Sequence, residues 1–242
     1  MTGPAGRVVV VIGAAGMAGR AATGALRDAG ATVIAVGSSA QRLSDLAQQL
    51  PGISTEVADL GDSAAAHALA DRVRTRHGRV DGLVHLVGGY RGGTEFTGNS
   101  DDDWRFLSAA LLDTLRHSTL AFHDDLVGSS AGRAVIVSAT AATTPTAGGA
   151  NYAAAKAAAE AWMLALADSL RRLQSGRADP VPQTSAASIL VIKALVDDRI
   201  RAQYPQRRFP GYTHVDELAG RIVGLWSTDP TELNGARIVL GS

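Results

Sequence analysis

The sequence predicts an α/β fold built on one doubly wound parallel sheet, and three observations lead there. Short β-branched runs alternate along the chain with longer Ala- and Leu-rich stretches. The runs are continuously apolar rather than alternating, the signature of strands covered on both faces. A glycine-rich turn follows the first run and opens the first helix.

Each element has its own reason. Residues 8–12 are an apolar strand between Arg7 and Gly13, and residues 20–28 a helix stopped at Gly30. Residues 32–36 form the next strand, and 40–50 a helix ended by Pro51. Strands follow at 54–58 and 83–87, with a helix over 63–76 between them. Residues 104–126 are a long helix whose start is favoured by Asp101, Asp102 and Asp103. Residues 134–138 are a strand, and 151–173 a second long helix with Asn151 at its N-cap. Residues 189–195 and 237–240 supply the last strands, and 174–184 a Gly- and Pro-bearing loop. No composition break divides residues 1–242, so one domain is expected.

Composition narrows the function. With 46% apolar residues the chain can bury a sizeable core, which argues against disorder and fibrous repeats. Basic and acidic residues balance at 23 each, so no field for nucleic acid or an anionic membrane is expected. There is no cysteine, and the six histidines have no metal-ligand spacing, so no metal site is expected. The N-terminus is too short and polar for a signal peptide, and the uncharged stretch 134–155 is broken by Pro145 and its glycines. A soluble, cytoplasmic protein is therefore expected. Arginine occurs 21 times but lysine only twice, at 156 and 193.

Gly13-Ala14-Ala15-Gly16-Met17-Ala18-Gly19 lies between the first strand and the first helix. Glycines there allow a tight turn and let backbone amides approach a pyrophosphate at a helix N-terminus. Asp59-Leu60 closes the third strand, where the carboxylate can hold an adenine amino group or cap the next helix. The second strand ends in Gly37-Ser38-Ser39, without the carboxylate that reads an NAD ribose. Arg20 and Arg42 are candidates for a 2′-phosphate; the cofactor is NADP or NAD, leaning to NADP.

Tyr152 and Lys156 stand at i, i+4 on one face of the long Ala-rich helix. An ammonium beside a phenol lowers the cost of forming the phenolate, so the pair suits acid–base work. With the glycine turn, Asp59-Leu60, Val84-His85-Leu86-Val87-Gly88 and the C-terminal Asn234-Gly235-Ala236-Arg237-Ile238-Val239, it resembles the short-chain dehydrogenase/reductase family over almost the whole chain.

That resemblance implies a Rossmann-type sheet of about seven strands, NAD(P)(H), and hydride transfer to or from a carbonyl or activated C=N of a small molecule. It implies Tyr152 as acid or base and Lys156 as holder of the nicotinamide ribose. Cofactor contacts are expected from Gly13, Ala15, Gly16, Met17, Gly19, Ser38, Asp59, Leu60, Val87, Gly88 and Leu195. It also implies a homodimer or homotetramer, for which the two long helices carry surplus apolar faces.

The departures matter. The family's serine position is Ala139, so Ser138 is the nearest hydroxyl candidate for its role. The helical asparagine is Leu111, the strand-end asparagines are His85-Leu86, and the usual Pro-Gly is Lys193-Ala194. Val87-Gly88-Gly89-Tyr90-Arg91-Gly92-Gly93 and the missing serine are similar to a dihydropteridine reductase-like branch, although that branch carries an acidic ribose reader. A cofactor-binding protein without redox turnover, acting as a sensor, an assembly partner or a non-redox enzyme, is the alternative.

Other residues have two readings. His85 reads as a buried structural histidine. Tyr90 stacks on a flat ligand or packs locally. Lys193 touches the cofactor or caps a loop in solvent. The Arg-rich stretch within 196–215 reads as a substrate lid.

Overall fold

The computed structural model describes residues 3–241. Strand β1 (Val8–Ile12) runs into helix α1 (Met17–Asp28), β2 (Thr32–Gly37), α2 (Ala40–Gln49), β3 (Ser54–Val57), α3 (Ser63–His77) and β4 (Gly82–His85). After a long loop come α4 (Asp101–Ser108), a π-helical turn (Ala109–Asp113), α5 (Thr114–Ala121) and α6 (His123–Gly128). Then follow β5 (Arg133–Ala139), α7 (Ala150–Leu173), β6 (Ala186–Ile192), β7 (Leu195–Val196), α8 (Asp198–Gln203), β8 (Thr213–His214), α9 (Val215–Gly224), α10 (Pro230–Leu233) and β9 (Arg237–Val239).

Seven strands form one parallel sheet in the order β3-β2-β1-β4-β5-β6-β9. This is the doubly wound fold that the sequence predicts. Its strands read as unbroken apolar runs because both faces are buried. Val8, Val10 and Ile12 of β1 face α3, α5 and α7, against residues such as Leu69, Leu115 and Met163. Val9 and Val11 face α1, α2 and α9, against Leu26, Leu43, Leu46 and Leu218. Each fully buried side chain of this size contributes about 1.5–3 kcal/mol through the hydrophobic effect.

Several boundaries differ from the expected ones. Helix α1 begins at Met17, immediately after the glycine turn, so Gly19 lies inside it. The long helix expected over 104–126 is interrupted by the π turn and again at Phe122. Asn151 is not the N-cap of α7: the helix starts at Ala150 after Gly149. Asn151 instead ties the helix to the loop before α4, its backbone N–H donating to Asn99 Oδ1 and its side chain to the Ser100 carbonyl. Strand β6 starts three residues earlier than expected and ends before Lys193. The 174–184 loop is stapled by buried Gln174, which donates to the Val127 carbonyl and accepts from the Thr184 and Ser185 amides.

Strand order reverses between β1 and β4, so the crevice beyond their carboxyl ends is a topological switch point, where open α/β sheets bind ligands. The two-residue pair β7–β8 closes the base of the 197–212 segment beside that crevice. Among the described residues, no helix is long and apolar enough to cross a membrane.

Candidate active site

Two adjoining cavities occupy the crevice. One, of about 270 Å³, runs from the glycine turn over the ends of β2 and β3. The other, of about 640 Å³, runs from the same turn past β4 and β5 to α7 and the 192–212 segment. Gly16, Leu86, Val87 and Gly88 line both.

The glycine turn is shaped for close backbone approach. Gly13 has a φ of +77°, and a Cβ there would lie 2.8 Å from the Leu86 carbonyl carbon. A Cβ on Gly19 would overlap the Gly13 carbonyl oxygen, so only glycine lets α1 start so near β1. Gly16 caps α1 without any side-chain hydrogen bond, and its first turn holds no acidic residue. The free amides and the positive end of the helix dipole are left for an anion.

Along the first cavity, β2 ends at Gly37 and delivers Ser38, Ser39 and Arg42. Ser39 is the N-cap of α2, accepting from the Arg42 amide. Among the described residues, Arg42 has no carboxylate within ion-pair distance. Arg20 lies outside this cavity and is engaged with the Ala15 carbonyl and Gln49 Oε1. Asp59 lines the cavity and accepts from the Gly61 amide, while the cap of α3 is Asp62. Leu60 holds its place through its carbonyl, which accepts from the His117 ring at 2.9 Å.

In the second cavity Tyr152 and Lys156 point from the first turns of α7. Lys156 Nζ lies 5.8 Å from the Tyr152 ring centroid and donates to the Val137 carbonyl at 2.7 Å. Burial lowers its pKa to about 8, against a smaller opposing pull from Glu160. The Tyr152 phenol is pushed up from its ordinary value, first by burial and then by Tyr90. The sequence argument expects the ammonium to lower it. In this structure desolvation dominates, because Leu107, Leu111 and Ala155 pack around the ring. Leu111 thus puts an apolar side chain in the π turn where the resembled family has asparagine. Tyr90 meets Tyr152 edge to face at 5.1 Å, which supports a role at the site for this exposed aromatic.

Ser138 is a correction. Strand alternation turns Val137 and Ala139 into the cavity and Ser138 to the opposite face, where its hydroxyl donates to Glu160 Oε1. Glu160 also accepts from Arg237, so the serine belongs to a part-buried polar cluster outside the cavity. The remaining predicted positions, Gly13, Ala15, Gly16, Met17, Gly19, Ser38, Asp59, Leu60, Val87, Gly88, Tyr152, Lys156 and Leu195, all line one cavity or the other.

His85 is buried at the end of β4, and burial lowers its pKa to about 3, with the Lys156 charge adding to this. The Thr114 hydroxyl donates to the Ala110 carbonyl, so its oxygen accepts from His85 Nε2 at 3.0 Å. A neutral histidine pinned in this way is structural. Sequence reasoning missed Thr146, Gly149 and Tyr212, which also line the larger cavity. They come from turns and from the 197–212 segment, where no periodicity marks a lining residue.

Comparison with known proteins agrees with this geometry. The family described as short chain dehydrogenase matches residues 7–174. The 3-oxoacyl-[acyl-carrier-protein] reductase FabG of Salmonella typhimurium is 28% identical over 239 residues, covering 95% of this chain and 93% of that one. A short-chain type dehydrogenase/reductase from Mycobacterium ulcerans superposes with a TM-score of 0.84 at 21% identity, covering 98% of this chain and 88% of its own. An NADPH-bound short chain oxidoreductase from Pseudomonas aeruginosa, described as containing an atypical catalytic center, gives 0.81 at 21% identity, covering 96% and 94%. These matches carry the family as a whole, without singling out the dihydropteridine reductase branch.

Proposed function

The chain belongs to the short chain dehydrogenase family and is an NAD(P)-dependent oxidoreductase; from that premise we propose that it reduces a carbonyl or activated C=N of a small molecule, with Tyr152 as proton donor. The observation that carries this reading is the continuous crevice joining the glycine turn to Tyr152 and Lys156.

The crevice suits a dinucleotide. The uncapped amides of α1 and the Gly13–Gly19 cradle fit a pyrophosphate, Asp59 with Leu60 fits the adenine, and Lys156 fits the nicotinamide ribose. When bound, the dinucleotide supplies or accepts the hydride. The chain's part is to exclude water, orient the acceptor and move one proton. The Tyr152 hydroxyl gives its proton to the substrate oxygen or nitrogen, and the Lys156 ammonium stabilises the phenolate left behind. Burial raises the phenol's pKa, so it is in the protonated form that reduction requires. The tetrad is read as incomplete: Ala139 and Leu111 replace its serine and asparagine, and Tyr90 beside Tyr152 is the nearest aromatic hydroxyl.

For the cofactor, Ser38, Ser39 and the unpaired Arg42 support NADP(H), since no carboxylate at the β2 end would repel a 2′-phosphate. Arg42→Ala should weaken NADPH about tenfold or more and leave NADH nearly unchanged, measured by titration. Equal loss for both dinucleotides would argue against the assignment. Exposed Trp104, Leu120 and Leu164 on the flank of α4, α5 and α7 support a homodimer or homotetramer. The 197–212 segment supports a substrate lid, pinned at its base by β7–β8. The function is tested by following NADPH consumption against a panel of ketones, aldehydes and quinonoid imines. Turnover of any class that is lost in Tyr152→Phe supports it; no turnover across the panel despite NADPH binding would refute it.

A further inference from the structure

We propose that Lys193 is the anion-recognition residue of the substrate cavity, so that the physiological substrate carries a carboxylate or phosphate besides its reducible group. This rests on the oxidoreductase reading above. The chain has 21 arginines and two lysines, and both lysines line the same cavity. Among the described residues, no aspartate or glutamate lines it with them.

Lys156 has a partner and a role. Lys193 has neither. Its side chain is exposed at the cavity mouth; its Nζ makes one hydrogen bond, to the Pro210 carbonyl at 3.2 Å, and among the described residues no carboxylate pairs with it. That bond holds the ammonium against the 197–212 segment, beside Tyr212. The Tyr212 hydroxyl accepts from Arg207 at 3.2 Å. A compact ammonium with free donors in a carboxylate-free cavity is chemistry for a single anionic oxygen group. The dinucleotide's own pyrophosphate already has the amides of α1, so the anion that Lys193 awaits comes from the substrate.

The test uses two probes, an aryl aldehyde bearing a carboxylate and the same aldehyde bearing a carboxamide. Each is titrated into the NADPH-loaded protein and followed by the change in nicotinamide fluorescence, with reduction rates as a second readout. Wild type should prefer the carboxylate about tenfold or more, and Lys193→Met should reduce that preference to near unity, with the NADPH dissociation constant moving less than about twofold. Lys193→Arg should retain part of the preference. Equal binding of the two probes by wild type would overturn the proposal. So would a preference that survives in Lys193→Met, or a loss that falls on NADPH affinity and on both probes alike. If wild type binds neither NADPH nor NADH, the oxidoreductase reading falls and the proposal with it.

Discussion

Tyr152→Phe is expected to lower kcat/KM for the reduced substrate by about 10²- to 10⁴-fold while changing the NADPH dissociation constant less than about threefold. The substitution removes one oxygen and keeps the ring. The packing against Leu107, Leu111 and Ala155 and the edge-to-face contact with Tyr90 therefore survive. What is lost is the hydroxyl proton donor that stands on the same helix face as Lys156. Stopped-flow hydride transfer and equilibrium titration on the same preparation separate the two effects. A variant with wild-type turnover would remove the tyrosine from the mechanism, and one that had lost NADPH binding would recast it as a cofactor contact.

Lys156→Met is expected to cost about 10²-fold in kcat/KM. A unit charge 5.8 Å from the ring, at an effective dielectric of about 20, interacts with a developing phenolate by about 3 kcal/mol. The same residue sets a pH dependence. Its pKa of about 8 is depressed by burial, so the stabilising ammonium is present below that pH and is lost above it. Tyr152, whose pKa is raised, stays protonated through this range. The wild-type kcat/KM for reduction should therefore fall as pH rises through about 8, and the Lys156→Met profile should lack this limb. A limb that persists in the variant would assign the titration to another group.

Much of this was legible in the sequence. Burial on both faces forces strands to be unbroken apolar runs, so the strands and the parallel sheet could be read directly. The glycine turn and the Tyr152–Lys156 spacing were legible because backbone approach and helical periodicity leave few residue choices. The start of α1 was hidden because Gly19, required for close approach, depresses helix propensity in the first turn. The π turn was invisible, since Ala109–Asp113 reads as ordinary helix. Ser138 failed for a legible reason: the period of two that puts Ala139 in the cavity must turn its neighbour away. Tyr212 had no signal, because the path of the 197–212 segment is set by contacts far apart in sequence. Lys193 did have one, in the scarcity of lysine.

The most direct measurement is a fluorescence titration of the protein with NADPH and, separately, NADH, with Trp104, Trp162 and Trp226 as energy donors to the reduced nicotinamide. Saturable binding at one site per chain, tighter for NADPH, is the predicted result. Failure of both dinucleotides to saturate at millimolar concentration would contradict the account, since a crevice that holds neither cannot place a hydride beside Tyr152.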